Sequence, residues 1–142
     1  MRVRIARLDP DVPLPAYATP NSAGFDIASC EDRIIEPGEI ALVRTGLIVK
    51  TPKGHFLALI ARSSTPLRKG LILANSVGVI DPDYCGVHDE VRLEFLNVTS
   101  QPVRIAKGDR LAQGMFLPVA RVEWDEAPPH DTSRGGFGST GS

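Results

Sequence analysis

The sequence predicts an all-β domain, a sandwich or barrel of short strands with at most one short helix. Segments rich in Val, Ile, Leu and Phe recur along the chain, and the 12 prolines and 13 glycines are spread between them rather than gathered in one linker. Several segments alternate apolar and polar residues, as in Val91-Arg92-Leu93-Glu94-Phe95, which is the period of a half-buried strand. Many short strands at near-regular spacing are typical of all-β sandwiches and barrels.

The apolar segments locate the expected strands, and Pro-Gly and Gly-Asp sequences locate the turns between them. The expected strands are Arg2–Ala6, Ile34–Ile35, Ala41–Val43, Leu47–Val49, His55–Ala61, Leu71–Leu73, Val91–Leu96, Val103–Ile105 and Leu111–Val122. The expected turns are Pro37-Gly38, Pro52-Lys53-Gly54 and Lys107-Gly108-Asp109. One short helix is expected from Ser64 to Lys69, with Ser64 as its cap, Pro66 early in it and Gly70 at its stop.

Composition limits the functional classes. The 142 residues suit one domain, and the net charge of -1 argues against a nucleic-acid coat, which shows a basic excess. No apolar run approaches membrane-spanning length and no cationic leader is visible, so we expect a cytoplasmic protein with no membrane partner and with Cys30 and Cys85 reduced. The composition changes near Pro128, which predicts a β domain over residues 1–127 and a flexible glycine-rich arm over 128–142.

Two segments carry candidate chemistry in the middle of the chain. Arg62-Ser63-Ser64 follows a predicted strand at the mouth of the predicted helix, where arginine and hydroxyl groups suit an anion; the alternative is a helix cap beside a surface arginine. In the segment from Asn75 to Gly86, Asp81 suits a general base and Tyr84 a platform for a sugar. The alternative for Asp81 is a turn former, since Asp-Pro is good type I turn chemistry.

The glycine-rich tail contains a misleading motif. Gly136-Phe137-Gly138-Ser139-Thr140-Gly141 spells GxGxxG, but that fingerprint requires a preceding strand and a following helix, so the dinucleotide interpretation is rejected. Backbone N–H groups around an anion remain a possible use of the tail, with Arg134 on a terminal phosphate and Phe137 stacked on a base. The alternative is a solvated tail.

Together and in this order, five segments resemble the five motifs of the trimeric dUTPase family. They are the segments around Asp26, Arg62-Ser63-Ser64, Asn75 to Tyr84, Gly108 to Gln113, and Arg134 to Gly141. The resemblance implies a jelly-roll-like β-barrel, a homotrimer with shared active sites, and a C-terminal arm of one subunit that closes over the site of another. It implies hydrolysis of dUTP to dUMP and pyrophosphate, with no nucleic-acid partner.

The resemblance also implies a role for each site residue. Asp81 is the implied general base, Tyr84 packs beneath the deoxyribose, and a hairpin holds the uracil edge. Asp26 supports Mg²⁺ indirectly through water, and the Mg²⁺ rides on the triphosphate. The implied hairpin contacts are Asn75, Gly78, Val79 and Ile80; the implied phosphate contacts are Arg62, Ser63, Ser64 and Gln113; the implied arm contacts are Arg134, Gly136, Phe137, Gly138 and Ser139.

Departures from the family pattern and rival functions remain. Ala61 stands where proline is frequent, Ser64 where glycine is frequent, and the residues Val87-His88-Asp89 look like an insertion. One rival is a dCTP deaminase of the same fold, for which Glu94 lies in a suitable strand. The other is a non-catalytic nucleotide-binding trimer, for which loss of the base or the arm is expected.

Overall fold

The all-β prediction with one short helix is confirmed by a computed structural model, which describes residues 1–129 and 133. The strands, in chain order, are β1 (Arg4–Arg7), β2 (Ala16–Tyr17), β3 (Phe25–Ala28), β4 (Arg33–Ile35), β5 (Ile40–Arg44), β6 (Leu47–Lys50), β7 (His55–Ala61), β8 (Leu71–Leu73), β9 (Gly78–Ile80), β10 (Arg92–Asn97), β11 (Val103–Ile105) and β12 (Arg110–Pro118). The helix α1 spans Ser64–Lys69, between β7 and β8.

The strands pair antiparallel throughout. The largest sheet has the order β2-β3-β12-β7-β9, a second has the order β5-β10-β8, and two pairs, β1-β6 and β11-β4, complete the described part. Strand β12 is central to the largest sheet, because it pairs with β3 on one side and with β7 on the other.

Alternating side chains of the paired strands build one apolar core. In β10 the side chains of Leu93, Phe95 and Asn97 are buried while those between them are more exposed, and β5 buries Ala41 and Val43 in the same alternation. Full burial of a Leu or Phe side chain stabilises a fold by about 1.5–3 kcal/mol. The core therefore fixes which face of each strand is turned to solvent and available for chemistry.

Helix α1 lies where the sequence predicts it, but its cap is different. Ser63, not Ser64, is the N-cap, and no side-chain hydrogen bond caps this end. Instead, Thr65 Oγ1 donates to the carbonyl oxygen of Leu111 over 2.7 Å and ties the first turn to β12. Gly70 ends the helix at φ 63°, a left-handed conformation that glycine adopts without strain.

Three expectations about strands need correction. The last strand ends at Pro118 rather than Val122; one further hydrogen bond in the same register, from Val119 N to Gly54 O over 2.9 Å, is the last contact of this pairing before the turn at Gly54. Strands β2 and β3 were not expected, since each is short and lacks a clear alternation. The hairpin expected from Asn75 to Tyr84 is not a pair of bonded strands, because β8 pairs with β10 whereas β9 pairs with β7.

Within residues 1–129 and 133, no helix has the length and apolar character needed to cross a membrane. Both cysteines, Cys30 and Cys85, are free thiols.

Candidate active site

One end of the candidate site is organised around the buried carboxylate of Asp26 on β3. Its Oδ1 lies 3.1 Å from Arg62 Nε and accepts a hydrogen bond from Gln113 Nε2 over 3.3 Å. Its Oδ2 accepts from Arg110 Nη1 over 3.0 Å. The Asp26 side chain is only 6% exposed, against 26% for Arg62 and 58% for Arg110. The carboxylate therefore holds two guanidinium groups whose outer edges still reach solvent.

The pairing of β12 explains why residues from three strands meet here. Gln113 lies opposite Asp26 of β3 and opposite Ile60 of β7, two residues before Arg62. A register shift between Arg110 and Ala112 marks a β-bulge, which changes the face of the strand on which later side chains emerge. As a result, Arg110 and Gln113 point to the same side although they are three residues apart.

A basic cavity of about 280 Å³ lies beside this cluster. Its cationic lining residues are Arg62, Arg68, Lys69 and Arg110. Ser64 contributes a hydroxyl group to the lining, whereas Ser63 is exposed at the start of α1. The only carboxylate in this lining is Asp109, and its pKa is lowered because it accepts a hydrogen bond from Lys69. This excess of donors and positive charge suits a polyanion.

The second end of the candidate site is the turn that follows β9. Tyr84 N donates to Asp81 O over 3.2 Å, which closes a tight turn around Pro82. The Asp81 carboxylate is exposed and makes no hydrogen bond or ion pair with a described residue. Asp81 and Tyr84, with Ile80 and Val79, line a cavity of about 390 Å³. An unpaired carboxylate thus stands beside an aromatic ring at the mouth of a concave surface.

Backbone groups are available next to this cavity. Strands β8 and β9 are each the last strand of their sheet, so one edge of each is not paired in a ladder within the described residues. Val77 N donates to Asn75 O over 2.7 Å in the link between them. A Cβ at Gly78 would lie 3.0 Å from Leu59 Cβ, so this close approach of β9 to β7 favours glycine. Free strand edges present the donors and acceptors that recognise a flat base.

A single chain does not bring the two ends together. Ile80 pairs with Leu57, so the next residue, Asp81, lies near Phe56 at the beginning of β7. Arg62 follows the other end of that strand. At about 3.3 Å per residue, the six residues from Phe56 to Arg62 span roughly 20 Å. Asp81 and Arg62 of one chain are therefore too far apart to act on one phosphate group.

Two residues of this region were not predicted from the sequence. Arg110 belongs to the same motif as Gln113, but only the bulge of β12 turns it towards Asp26. Glu90 is buried beside Tyr84 and binds Arg44, and the pKa of Arg44 is raised because it donates a hydrogen bond to Glu90. Glu94, the residue considered for a deaminase, is partly buried on β10 opposite Leu42 and does not line the cavity of Asp81.

Comparison with known proteins identifies the family. The sequence profile described as dUTPase matches residues 11–141. The chain belongs to the dUTPase family.

Relatives and solved structures agree with this assignment. The chain is 43% identical over 145 residues to a deoxyuridine 5'-triphosphate nucleotidohydrolase of Thermobifida fusca, with 99% of this chain and 79% of that protein covered. It is 42% identical over 132 residues to the protein of that name from Lactococcus lactis, with 91% and 88% covered. The crystal structure of a dUTPase from Streptococcus mutans aligns with a TM-score of 0.78 and 35% identity, with 86% and 98% covered. The fold is the jelly-roll-like fold of these dUTPases.

The dUTPase motifs therefore fall in two groups. Asp26, Arg62 and Gln113 meet at one end, with Ser63 and Ser64 at the adjoining start of α1. Asn75, Gly78, Val79, Ile80, Asp81 and Tyr84 lie at or beside the other end. The arm residues assigned from the sequence, Arg134, Gly136, Phe137, Gly138 and Ser139, lie outside the described residues.

Proposed function

We propose that this chain hydrolyses dUTP to dUMP and pyrophosphate, which limits uracil in DNA and supplies dUMP for thymidylate synthesis. The observation that supports this most directly is the unpaired carboxylate of Asp81 beside Tyr84, at the edge of the cavity next to β9. In a member of the dUTPase family, this is the group available to accept a proton from water.

The base and sugar are recognised at the Asp81 end. The free edge of β9, at Gly78, Val79 and Ile80, and the link through Asn75 offer backbone groups to uracil. A base with reversed donors and acceptors, such as cytosine, leaves those groups unpaired and is rejected. The ring of Tyr84 packs beneath the deoxyribose, where a ribose 2′-hydroxyl collides with it.

The chemical step takes place at the α-phosphorus. Asp81 accepts a proton from a water molecule as the water oxygen bonds to the α-phosphorus, and the bond from that phosphorus to the bridging oxygen breaks in line. The bridging oxygen leaves with pyrophosphate. Arg62, Ser63, Ser64 and Gln113 bind the phosphate oxygens and fix their position during the attack.

A magnesium ion fits this site if the triphosphate supplies most of its ligands. No group of three or more His, Cys, Asp or Glu side chains suited to a metal occurs in the described part of the chain. Both oxygens of Asp26 already accept hydrogen bonds, which leaves this residue an outer role through water, as the family resemblance implies. When bound, Mg²⁺ neutralises phosphate charge and supports the departure of pyrophosphate.

The separation of the two ends supports a homotrimer with shared sites. Roughly 20 Å along β7 separates Asp81 from Arg62 in one chain, so the triphosphate bound near Asp81 is completed by Arg62 of another copy. The outward face of the β5-β10-β8 sheet offers an apolar surface for that association, because Ile40, Leu42 and Ile72 are exposed there.

Mixing two inactive variants tests the shared site. Asp81→Asn and Arg62→Ala chains, each inactive alone, are co-expressed with different tags and the mixed trimers are purified. About a third of the active sites in the purified mixed trimers should work, because each mixed cyclic trimer pairs one intact Asp81 with one intact Arg62. A mixture that stays as inactive as its parents contradicts the shared site, and wild-type chains with the same tags serve as the control.

A nucleotide panel tests the reaction itself. dUTP, dCTP, dTTP and UTP are scored separately for release of pyrophosphate and of ammonia. We expect pyrophosphate from dUTP and little from the other three. Ammonia from dCTP indicates the deaminase instead, and binding of dUTP without turnover indicates a nucleotide-binding protein.

The division into a β domain (1–127) and a flexible arm (128–142) remains part of this proposal. All regular elements of the described residues end by Pro118. Deleting the chain after Ser133 is expected to leave the melting temperature unchanged and to lower dUTP turnover strongly, since the arm residues Arg134 and Phe137 are lost. A truncated protein with full activity contradicts the role of the arm. The cytoplasmic location expected from the sequence also stays a prediction.

A further inference from the structure

The loop that follows Asp81 is fastened across its base by Tyr84. Tyr84 Oη donates a hydrogen bond to the carbonyl oxygen of Glu90 over 3.2 Å. Inside the loop, Gly86 N donates to Asp89 Oδ2 over 2.6 Å and Asp89 N donates to Gly86 O over 3.0 Å. Residues 87–89 are thus held in a turn of their own, and the contact between Tyr84 and Glu90 spans them.

Glu90 is an unusually well-fixed partner for a tyrosine hydroxyl. Its side chain is 4% exposed, and Oε1 accepts a hydrogen bond from Gly46 N over 2.8 Å. Arg44 Nε lies 3.1 Å from Oε2, and Arg92 Nε lies 3.5 Å from the same oxygen. Moving this carboxylate leaves a buried charge without its partners, which is strongly unfavourable.

The turn that holds Glu90 is itself restricted. Gly46 has φ 68°, and a Cβ at this position would lie 2.5 Å from Val12 Cγ2, so only glycine fits. The residue after Glu90 is bonded to the same turn, because Val91 N donates to Leu47 O over 2.8 Å. The backbone that carries the Glu90 carbonyl is therefore fixed on both sides of the carbonyl group.

We propose that Glu90 is a positioning residue for sugar selection, which acts by holding the tip of the Tyr84 ring. This inference rests on the proposed function. The Tyr84 ring excludes a ribose 2′-hydroxyl only if the ring stays in place when the hydroxyl contacts it. A selective site must be held to within about 0.5 Å. Tyr84 is partly exposed, and its hydroxyl donates to the backbone carbonyl oxygen of Glu90. The ion pairs of Glu90 therefore hold this residue, and through its carbonyl oxygen the Tyr84 ring, in place.

The first test compares sugar selectivity in Glu90→Gln with that of the wild-type protein. The amide oxygen of glutamine still accepts from Gly46 N, but the ion pairs with Arg44 and Arg92 are lost. We expect the dUTP-to-UTP ratio of kcat/KM to fall about tenfold through a better KM for UTP, with kcat for dUTP within about twofold of wild type. Equal losses for both nucleotides indicate a structural role only and overturn the inference.

Glu39→Gln is a matched control. Glu39 also accepts a backbone hydrogen bond, from Glu36 N, and also pairs with an arginine, Arg33, but it lies in the turn before β5. The selectivity of this variant is expected to equal that of wild type. Should Glu90→Gln fail to fold, Arg44→Gln removes the more exposed partner of the same ion pair and is expected to change the selectivity in the same direction.

A double-variant cycle tests whether Glu90 acts through Tyr84. Tyr84→Phe keeps the ring and removes the hydroxyl that donates to Glu90. If Glu90 acts by this contact, adding Glu90→Gln to Tyr84→Phe lowers the selectivity no further. Fully additive losses overturn the inference.

A spectroscopic measurement separates this inference from the proposed function. The chain has two tyrosines, so ¹³C-labelled tyrosine gives two ring signals, with Tyr17 as the internal reference. In the nucleotide-free protein, Glu90→Gln is expected to shift or broaden the Tyr84 signal and to leave that of Tyr17 unchanged. An unchanged Tyr84 signal overturns the inference even if dUTP is hydrolysed. If the wild-type protein does not hydrolyse dUTP, the proposed function fails, and the ratio of Kd values for dUTP and UTP replaces kcat/KM as the measure of selectivity.

Discussion

Asp26 and Asp81 are two aspartates of one chain in opposite surroundings. Asp26 is buried, and both of its oxygens are bound by Arg62, Arg110 and Gln113. Asp81 is exposed in a turn, and its carboxylate has no partner among the described residues. The oxygens of Asp26 are occupied by hydrogen-bond donors of the protein, whereas those of Asp81 are open to a water molecule. In the proposed reaction, Asp26 therefore has a structural role and Asp81 the chemical one.

The largest expected effect comes from removing the exposed carboxylate of Asp81. Asp81→Asn is expected to lower kcat for dUTP about a hundredfold or more, since the proposed general base is lost. The free energy of unfolding should change by less than about 0.5 kcal/mol, because the side chain is exposed and unpaired. Steady-state kinetics and urea unfolding measure these two quantities.

Asp83→Asn is the matched control, since Asp83 is an exposed aspartate of the same turn. Its kcat should stay near that of wild type. Near-normal turnover in Asp81→Asn would remove Asp81 from its proposed role.

The second prediction concerns the buried carboxylate of Asp26. Asp26→Asn is expected to lower the free energy of unfolding by about 2 kcal/mol, because the neutral amide leaves Arg62 and Arg110 side by side without a counter-charge. The arginines are partly exposed, which keeps the loss below that of a fully buried pair. Urea unfolding monitored by far-ultraviolet circular dichroism gives the value.

Asp32→Asn serves as the control for this loss, since among residues 1–129 and 133 the Asp32 side chain accepts one exposed hydrogen bond, from Lys107 N. A loss for Asp26→Asn no larger than that of the control would mean that the arginine cluster contributes nothing to the fold.

The smallest expected effect concerns a third aspartate, Asp109, whose surroundings are intermediate between those of Asp26 and Asp81. Asp109 is partly exposed, and its pKa is lowered because Lys69 Nζ donates to it over 2.8 Å. A lowered pKa in the folded state stabilises the fold above the unfolded value of about 4, and this contribution disappears as the pH falls through the folded value. Asp109→Asn should therefore cost at most about 1 kcal/mol at neutral pH and less near pH 3, to order of magnitude. Urea unfolding of both proteins at several pH values tests this, and a pH-independent difference would contradict it.

The sequence predicts those features that depend on neighbouring residues along the chain. The alternation in Val91–Phe95 indicates β10, and the turn glycines Gly38, Gly54 and Gly108 all have positive φ in the structure. Helix α1 has the predicted bounds because Gly70 ends it locally. These features are fixed by the period of apolar side chains and by backbone sterics, both of which can be recognised in a short stretch of sequence.

The features that the sequence does not predict depend on pairing between distant segments. Arg110 meets Asp26 only because β12 pairs with β3, and Glu90 meets Arg44 only because the chain returns to the turn after β5. The expected hairpin fails for the same reason, since the choice of β10 and β7 as partners for β8 and β9 is a property of the whole sheet arrangement. Motif order along the chain also does not reveal the roughly 20 Å between the ends of β7.

The bulge in β12 decides on which face of the strand Arg110 and Gln113 emerge, independently of the composition of the segment. In a regular strand, residues separated by three positions point to opposite faces. One additional residue between Arg110 and Gln113 reverses the parity of the strand, so that both side chains reach the same carboxylate. A segment of the same length that paired with β3 without the bulge would keep all of these amino acids and would turn either the arginine or the glutamine towards the apolar interior.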